Sequence, residues 1–508
     1  MNQIRENRWV AGVMLMAALA TNVAVAQNEA APSKHPNVIM FSVDDMNDWI
    51  GPLGCKQAIT PNMDRLAKAG VTFMNAQAPG VFCAPSRTAI WTGLQASTTG
   101  CYENEIFLYD FPDIVTLQTA FKRGGYDTYG AGKLYHHRGG YVDLRDWDEY
   151  FSRSQEMRGE GWEMNSYHQS DVPLPSPFPY SPYFIKYGNK KTLSAGHMEW
   201  GPIADEQEDD MADAMRTNWM CDVLKRKHDK PFFLALGMYS PHYPNYAPQK
   251  YFDMYDRDKI ELPPLKEDDL DDLPPKIKKF YTNRSKAQQR IDELECYQDA
   301  VQAYLASITF ADAMLGRVLD ALESTPHKDN TLVVLWSDQG FHHGEKGQWG
   351  KHTLWQRTTQ VPFIWAGPGI AKNAKVKETV SLIDLYPTFG DLCNFPVKKD
   401  LDGVSIASIL NKPSTARDRD VFIPHVKRGG YAVVNSKWRY IQYDDGTEEL
   451  YNVKKDPNEW ENLAGEAEYD SIKKKMQKAS PEKFAPKATP RNSLKLIVDG
   501  DSFHWEKK

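Results

Sequence analysis

Cysteine is scarce: six residues in 508, Cys55, Cys83, Cys101, Cys221, Cys296 and Cys393, with no CxxC pair, are too few and too scattered for the disulfide scaffold of a small secreted domain. If one of them is chemically consumed, at least one of the others must stay unpaired within the chain. Basic excess is lacking too. Lys and Arg number 61 against 68 Asp and Glu, for a formal net charge of -7, and this excludes the basic stripe of a nucleic-acid binder. Beyond the first residues no segment has the roughly 20 apolar residues that a membrane-spanning helix needs. There is no internal repeat and no low-complexity tract.

What is present is globular material. A hydrophobic content of 41% over this length suffices for one large α/β domain with a smaller unit, or for two or three ordinary domains. The first 26 residues read as an export signal: Arg5 and Arg8 form a short basic region, Trp9 to Ala20 an apolar stretch, and Ala24-Val25-Ala26 supplies small residues before Gln27. Cleavage after Ala26 predicts a periplasmic or secreted protein without a membrane anchor.

From Pro36 the pattern alternates. Asn37 to Val43 is an apolar run of strand length ending in Asp44-Asp45, as a buried parallel strand would, and open α/β sheets hold ligands at that end. Pro61 to Gly70 predicts a helix with Thr60 as N-cap and Gly70 as terminator. Ile114 to Lys122, residues 209 to 227 and Ile291 to Leu322 predict further helices, with a short strand near Asp127 to Gly130. Pro231 to Leu236 is a second buried strand, running out into Ser240-Pro241-His242, and Leu332 to Trp336 a third, ending in Ser337-Asp338-Gln339-Gly340. Three apolar strands ending in Asp, His, or Asp with Gln predict a composite site at one sheet edge. Residues 151 to 208 and 262 to 290 break the pattern and read either as surface loops or as walls of a cleft. After about Leu401, short strand-like runs separated by Gly-Gly, Asn-Ser and Asp-Asp-Gly turns predict a small antiparallel sheet.

The most specific string is Cys83-Ala84-Pro85-Ser86-Arg87, continuing through Thr88-Ala89-Ile90-Trp91 to Thr92-Gly93. A lone cysteine before proline is ordinarily a small buried hydrophobe. Here the string resembles the signature of the type I sulfatases, and Gly125-Tyr126-Asp127-Thr128-Tyr129-Gly130-Ala131-Gly132-Lys133-Leu134-Tyr135-His136 resembles their second signature. Gly132 to His136, Pro241-His242 and Gly344 to Lys351 are most similar to the iduronate-2-sulfatase branch. The resemblance implies an α/β, alkaline-phosphatase-like sandwich: a large central mixed, mostly parallel sheet flanked by helices, plus a smaller C-terminal α+β subdomain with an antiparallel sheet. The predicted boundaries are 1–26 for the signal, 27–400 for the catalytic domain and 401–508 for the subdomain.

The same resemblance implies that a maturation enzyme oxidises Cys83 to formylglycine, whose hydrate attacks sulfur. Asp44, Asp45, Asp338 and Gln339 supply only oxygen ligands, which suit a hard cation such as Ca²⁺ or Mg²⁺; the resemblance favours calcium, with position 83 as a further ligand. One departure is Gln339, where relatives usually carry Asn or His; its carbonyl can ligate a hard cation if the extra methylene is absorbed locally. Arg87 is expected to hold the formylglycine diol, Lys133 and Lys351 to bind sulfate oxygens, His136 to act as base on the diol, and His242 to donate to the leaving oxygen. His137, Arg138, His342 and His343 lie beside these elements and either contact a uronate carboxylate or neighbouring sulfate or are exposed surface. The expected activity is sulfate removal from a sulfated oligosaccharide or polysaccharide. A phosphonate or phosphate ester hydrolase of the same superfold, or a glycan-binding pseudoenzyme, are the alternatives.

Overall fold

The structure, a computed structural model, describes residues 35–136, 141–151, 199–284, 286–499 and 502–508, with Pro182 and Lys186. The predicted export signal and most of residues 151 to 208 lie outside the described residues. Among the described residues, no helix is long and apolar enough to cross a membrane.

The run after Pro36 forms β1 (Asn37–Val43), buried along its whole length. Ile39, Phe41 and Val43 enter one core and Val38 and Met40 the other, so the strand is continuously apolar because both faces of its sheet are covered. Its partners are β2 (Gly70–Phe73), β3 (Asp127–Gly132), β4 (Glu149–Phe151), β5 (Phe232–Gly237), β6 (Thr331–Ser337), β7 (Phe363–Ala366) and β8 (Ala374–Val376), in the order β8-β2-β7-β6-β1-β5-β3-β4. Only β7 runs antiparallel to its neighbours, which gives the predicted mixed, mostly parallel sheet. The four strands β6, β1, β5 and β3 are adjacent and parallel, so their carboxyl ends lie side by side.

The principal helices are α1 (Pro61–Ala69), α2 (Cys83–Thr92), α3 (Leu117–Arg123), α4 (Ala212–Lys225), α5 (Tyr297–Glu323) and α6 (Leu385–Cys393). α1, α4 and α5 cover the Ile39 face, and α2, α3 and α6 the Val38 face. Two expectations are corrected here. The long helix from Ile291 is two helices, broken at Glu295, which adopts φ +50° with no glycine or proline to mark the place. And Thr60 does not cap α1: its hydroxyl accepts the Gly51 N–H at 2.9 Å. The orphan N–H groups of the first turn at Asn62 and Met63 donate instead to the Asp312 carboxylate on α5, at 3.1 and 2.7 Å. Asp312→Ala is expected to destabilise the protein by about 2 kcal/mol, read as a lowered thermal unfolding midpoint; an unchanged midpoint would show that water can replace this cap.

The C-terminal sheet comprises β9 (Val421–Pro424), β10 (Tyr431–Val434), β11 (Arg439–Gln442) and β12 (Glu448–Tyr451), antiparallel in sequence order. One face packs on Val81, Leu354 and Trp355 of the large domain, and the other lies under α7 (Asp470–Gln477) through Met476. Residues 262 to 290 are not merely loop. They form the helix Pro275–Arg284 and the start of Lys286–Glu293, and Leu273, Ile277 and Tyr281 are buried under the C-terminal sheet. The chain ends in a hairpin of β13 (Leu494–Asp499) and β14 (Ser502–Lys507) that returns to the large domain.

Candidate active site

Four strand ends and one helix start converge. β1 delivers Asp44 and Asp45, β6 delivers Asp338 and Gln339, β3 leads into Lys133 and His136, and β5 into Ser240-Pro241-His242; Cys83 is the first residue of α2. Lys351 arrives on a loop closed by pairing of His342–His343 with Trp349–Gly350. Asp45 adopts φ +58°, a left-handed conformation more accessible to Asp than to most residues. Its carbonyl accepts the Tyr304 hydroxyl at 2.8 Å, and its N–H donates to Asp338 Oδ1 at 3.2 Å.

Cys83 is fully buried. Its Sγ lies 3.0 Å from Lys351 Nζ, 3.6 Å from Gln339 Nε2, 3.8 Å from Lys133 Nζ and 3.9 Å from Asp45 Oδ1. Lys351 Nζ donates to Asp45 Oδ1 at 2.5 Å, Lys133 Nζ donates to Asp44 Oδ2, and Gln339 Nε2 donates to Asp45 Oδ1. His242 Nε2 is 3.6 Å from Asp45 Oδ2, while Nδ1 lies 2.5 Å from the Tyr243 carbonyl. A carbonyl can only accept, so Nδ1 carries a proton and Nε2 faces the site.

Arg87 was expected to hold the group at position 83. Its fork instead donates to Asp338 Oδ2 at 2.8 Å from Nε, to Asp44 Oδ1 at 3.0 Å from Nη2, and to the carbonyls of Lys133 and Leu134 from Nη1. It thereby joins the ends of three strands, which makes it a positioning residue for two carboxylates. The planar, permanently charged fork suits this buried duty where a lysine would not.

Electrostatics at the site are set by burial against paired charge. Burial pushes the Asp44 carboxyl up, but Lys133 and Arg87 outweigh it and hold Asp44 well below the usual carboxylate range. Asp45 is raised, because burial exceeds the pull of Lys351. Burial pushes the Cys83 thiol up to about 12 despite Lys133 and Lys351, so as a thiol it is not the ionised nucleophile that cysteine catalysis requires. Burial, then Lys133 and Lys351, keep His242 well below the ordinary histidine range.

Two of the expected ligands, Asp44 and Asp45, group with Cys83 and His242 as a mixed oxygen, sulfur and nitrogen set that can hold a metal ion, while the Asp338 carboxylate is engaged by Arg87 and two backbone N–H groups. Ligand atoms of Asp44, Asp45, Cys83 and His242 all lie within 4.8 Å of one another. Asp45 Oδ2 and Gln339 Oε1 are buried acceptors with no hydrogen-bond partner, a rarity that a cation would remove. Gln339 thus reaches the site despite its longer side chain.

The remaining predicted residues separate into groups. His136 is buried edge-on between Phe82 and Tyr141, with ring centroids 5.3 and 4.9 Å away, adjoining the residue before Cys83. His137 and Arg138 lie outside the described residues. His342 and His343 are not exposed surface: His342, at the base of a small cleft with Asp48, Glu345 and Arg357, meets the Thr353 hydroxyl through Nε2 at 2.8 Å, and His343 is fully buried against Trp49 and Tyr304, at 4.9 and 3.9 Å. They consolidate the loop that carries Lys351. Sequence reasoning missed Tyr239, whose ring stands 4.6 Å from Lys133 Nζ and 4.7 Å from the His242 ring, although its place just before Ser240-Pro241-His242 was a usable signal. It also missed Tyr304, which lies mid-helix and carries no local signal.

Residues 36–395 match the protein family described as Sulfatase, and residues 344–484 the family described as N-sulphoglucosamine sulphohydrolase, C-terminal. A protein named Sulfatase from Formosa agariphila is 38% identical over 448 residues, covering 86% of this chain and 84% of its own. Human iduronate 2-sulfatase is 28% identical, covering 78% of this chain and 72% of its own. A solved 2-O GAG sulfatase superposes with a TM-score of 0.64 at 23% identity, over 87% of this chain and 90% of its own, a likeness of fold.

Proposed function

Since the chain belongs to the Sulfatase family and is a sulfuric ester hydrolase, we propose that it releases sulfate from a sulfated glycan through a formylglycine made from Cys83, with calcium held by Asp44, Asp45, Asp338 and Gln339. The glycan class rests on the names of its relatives, which include an iduronate 2-sulfatase and a 2-O GAG sulfatase. The observation that carries the chemistry is the pair of ammonium groups, Lys351 and Lys133, at 3.0 and 3.8 Å from the buried Cys83 Sγ. A sulfate monoester is anionic and repels nucleophiles, so preorganised positive charge is the largest contribution a site can make.

Formylglycine, installed by a maturation enzyme in the exporting cell, would supply the nucleophilic hydroxyl. Calcium would supply charge stabilisation at that hydroxyl and at a sulfate oxygen. The residues of the chain do the rest. Lys133 and Lys351 exchange their carboxylate partners for sulfate oxygens, and Arg87 keeps Asp44 and Asp338 in place while they do so. His242 Nε2 faces the leaving oxygen; with Nδ1 holding its proton against the Tyr243 carbonyl and the ring kept neutral, it can donate to that oxygen only after taking up a second proton. His136 would serve as the base for the second hydroxyl of the hydrated formylglycine.

The test is a side-by-side rate measurement on sulfate and phosphate monoesters, followed by sulfate release from a panel of heparin, chondroitin sulfate, ulvan, fucoidan and carrageenan oligosaccharides. Sulfate turnover exceeding phosphate turnover, with release from at least one glycan, is the expected result. A higher rate on phosphate would favour the phosphatase alternative, and binding without turnover the pseudoenzyme. For the cation, calcium at a hundredfold excess over its Kd is expected to stabilise the chelator-treated protein by about 2.7 kcal/mol, read as a raised unfolding midpoint, and Gln339→Leu to lose part of that gain. A midpoint indifferent to calcium in the wild type would remove the cation from the mechanism.

A further inference from the structure

The last stretch of the chain lies beyond both matched family regions, which end at residues 395 and 484. It runs back along the segment that follows α2. Ala485 N–H donates to the Ser97 carbonyl at 2.7 Å, Ala488 N–H to Gly100 at 3.0 Å and Arg491 N–H to Asn104 at 3.1 Å, while the Ile106 N–H donates to the Thr489 carbonyl at 3.2 Å. The approach is close enough that a Cβ on Gly100, itself at φ +78°, would sit 2.1 Å from the Pro486 carbonyl oxygen. After this strap comes the β13–β14 hairpin, whose Leu494 and Trp505 are buried in one cluster with Ala84, Ile106 and Tyr141.

Phe503 and Trp505 share a face of β14 because strand side chains alternate. Trp505 is buried in the cluster, and Phe503, half-buried, lines a cavity of about 630 Å³ together with Tyr109 and Arg145. That volume suits a small ligand. Its chemistry is specific: flat aromatic sides at Tyr109 and Phe503, and a fixed polar edge at Arg145, whose guanidinium is clamped on the buried Asp143 carboxylate by bonds of 2.8 Å from Nε and 2.8 Å from Nη2. Apolar faces with a polar rim match a pyranose ring, which presents C–H faces and a hydroxyl edge. Between the cavity and the active site lies the same buried cluster. Tyr109 packs against the cluster that holds Ala84, next in sequence to Cys83, and Tyr141, whose ring stands 4.9 Å from His136.

We propose that this cavity, lined by the C-terminal hairpin, is a subsite for a further sugar ring of the glycan, beyond the one that carries the reacting sulfate. It rests on the sulfated-glycan reading above. Binding there holds the chain in register without touching the sulfate.

The test uses full-length, matured protein and the tetrasaccharide that the wild type desulfates fastest among heparin, chondroitin sulfate, ulvan and carrageenan fragments. Tyr109→Ala and Phe503→Leu should each raise its KM about tenfold while kcat and the Ki of inorganic sulfate as competitive inhibitor stay within twofold. Phe503→Tyr, which keeps the flat face, should restore the wild-type KM; Phe503→Leu keeps apolar volume, so misfolding is separated from lost stacking by the unchanged Ki. An unchanged KM in both variants overturns the subsite alone. Parallel losses in kcat and sulfate Ki overturn it in favour of a structural hairpin. A wild type that desulfates none of the fragments overturns the glycan reading and with it the occupant.

Discussion

Cys83→Ala is expected to lower kcat for sulfate release by about 10⁴-fold or more while leaving the protein folded and able to bind inorganic sulfate. The thiol is buried, and its neighbours lie at 3.0 to 3.9 Å in an arrangement the other residues make among themselves. Lys351 stays on Asp45, Lys133 on Asp44 and Arg87 on both Asp44 and Asp338. Alanine removes one sulfur and leaves a void that costs on the order of 1 kcal/mol, so the unfolding midpoint should move by only a few degrees. The companion measurement is peptide mass spectrometry on protein co-expressed with a maturation enzyme. The Cys83 peptide should be lighter by the exchange of sulfur and two hydrogens for one oxygen. Active protein with an unmodified Cys83, or retained turnover in the alanine variant, would refute the formylglycine mechanism.

Arg87→Ala should do the opposite in one respect: it should lose stability as well as activity. Asp44 and Asp338 are fully buried, and the fork of Arg87 is bonded to both. Removing one partner of a buried ionic pair leaves an uncompensated charge and costs about 3–5 kcal/mol, here read as a fall in the unfolding midpoint of chelator-treated protein. Lysine at position 87 should recover only part of this, since a point charge cannot serve Asp338, Asp44 and two carbonyls together. A stable, inactive Arg87→Ala protein would instead place Arg87 against the reacting group, as the sequence resemblance implied.

The contrast between these two variants marks how much was legible beforehand. The apolar runs at residues 37–43, 231–236 and 332–336 could be read as buried strands, because a strand covered on both faces has few positions for polar residues until it leaves the sheet. The polar clusters at their ends were therefore conspicuous, and the structure brings Asp44, Asp45, Asp338, Gln339 and His242 together. Lys351 and Lys133 also meet at Cys83. What could not be read was partnership across long sequence separations. The cap of α1 by Asp312, the hydroxyl of Tyr304 on the Asp45 loop and the fork of Arg87 each depend on a residue more than forty positions away. His342 and His343 also look available beside a motif, yet Trp49 and Tyr304 pack on His343 and Thr353 meets His342.

By itself the sequence determined the family and the kind of sheet, since the Cys83 to Arg87 string and the period of apolar residues are local properties. Only the tertiary structure decided which charges are paired, which histidines are buried, and that the C-terminal hairpin returns to line a cavity. The physical reason is that pairing and burial are settled by packing between distant segments, and residue spacing along one segment carries no record of what will pack against it.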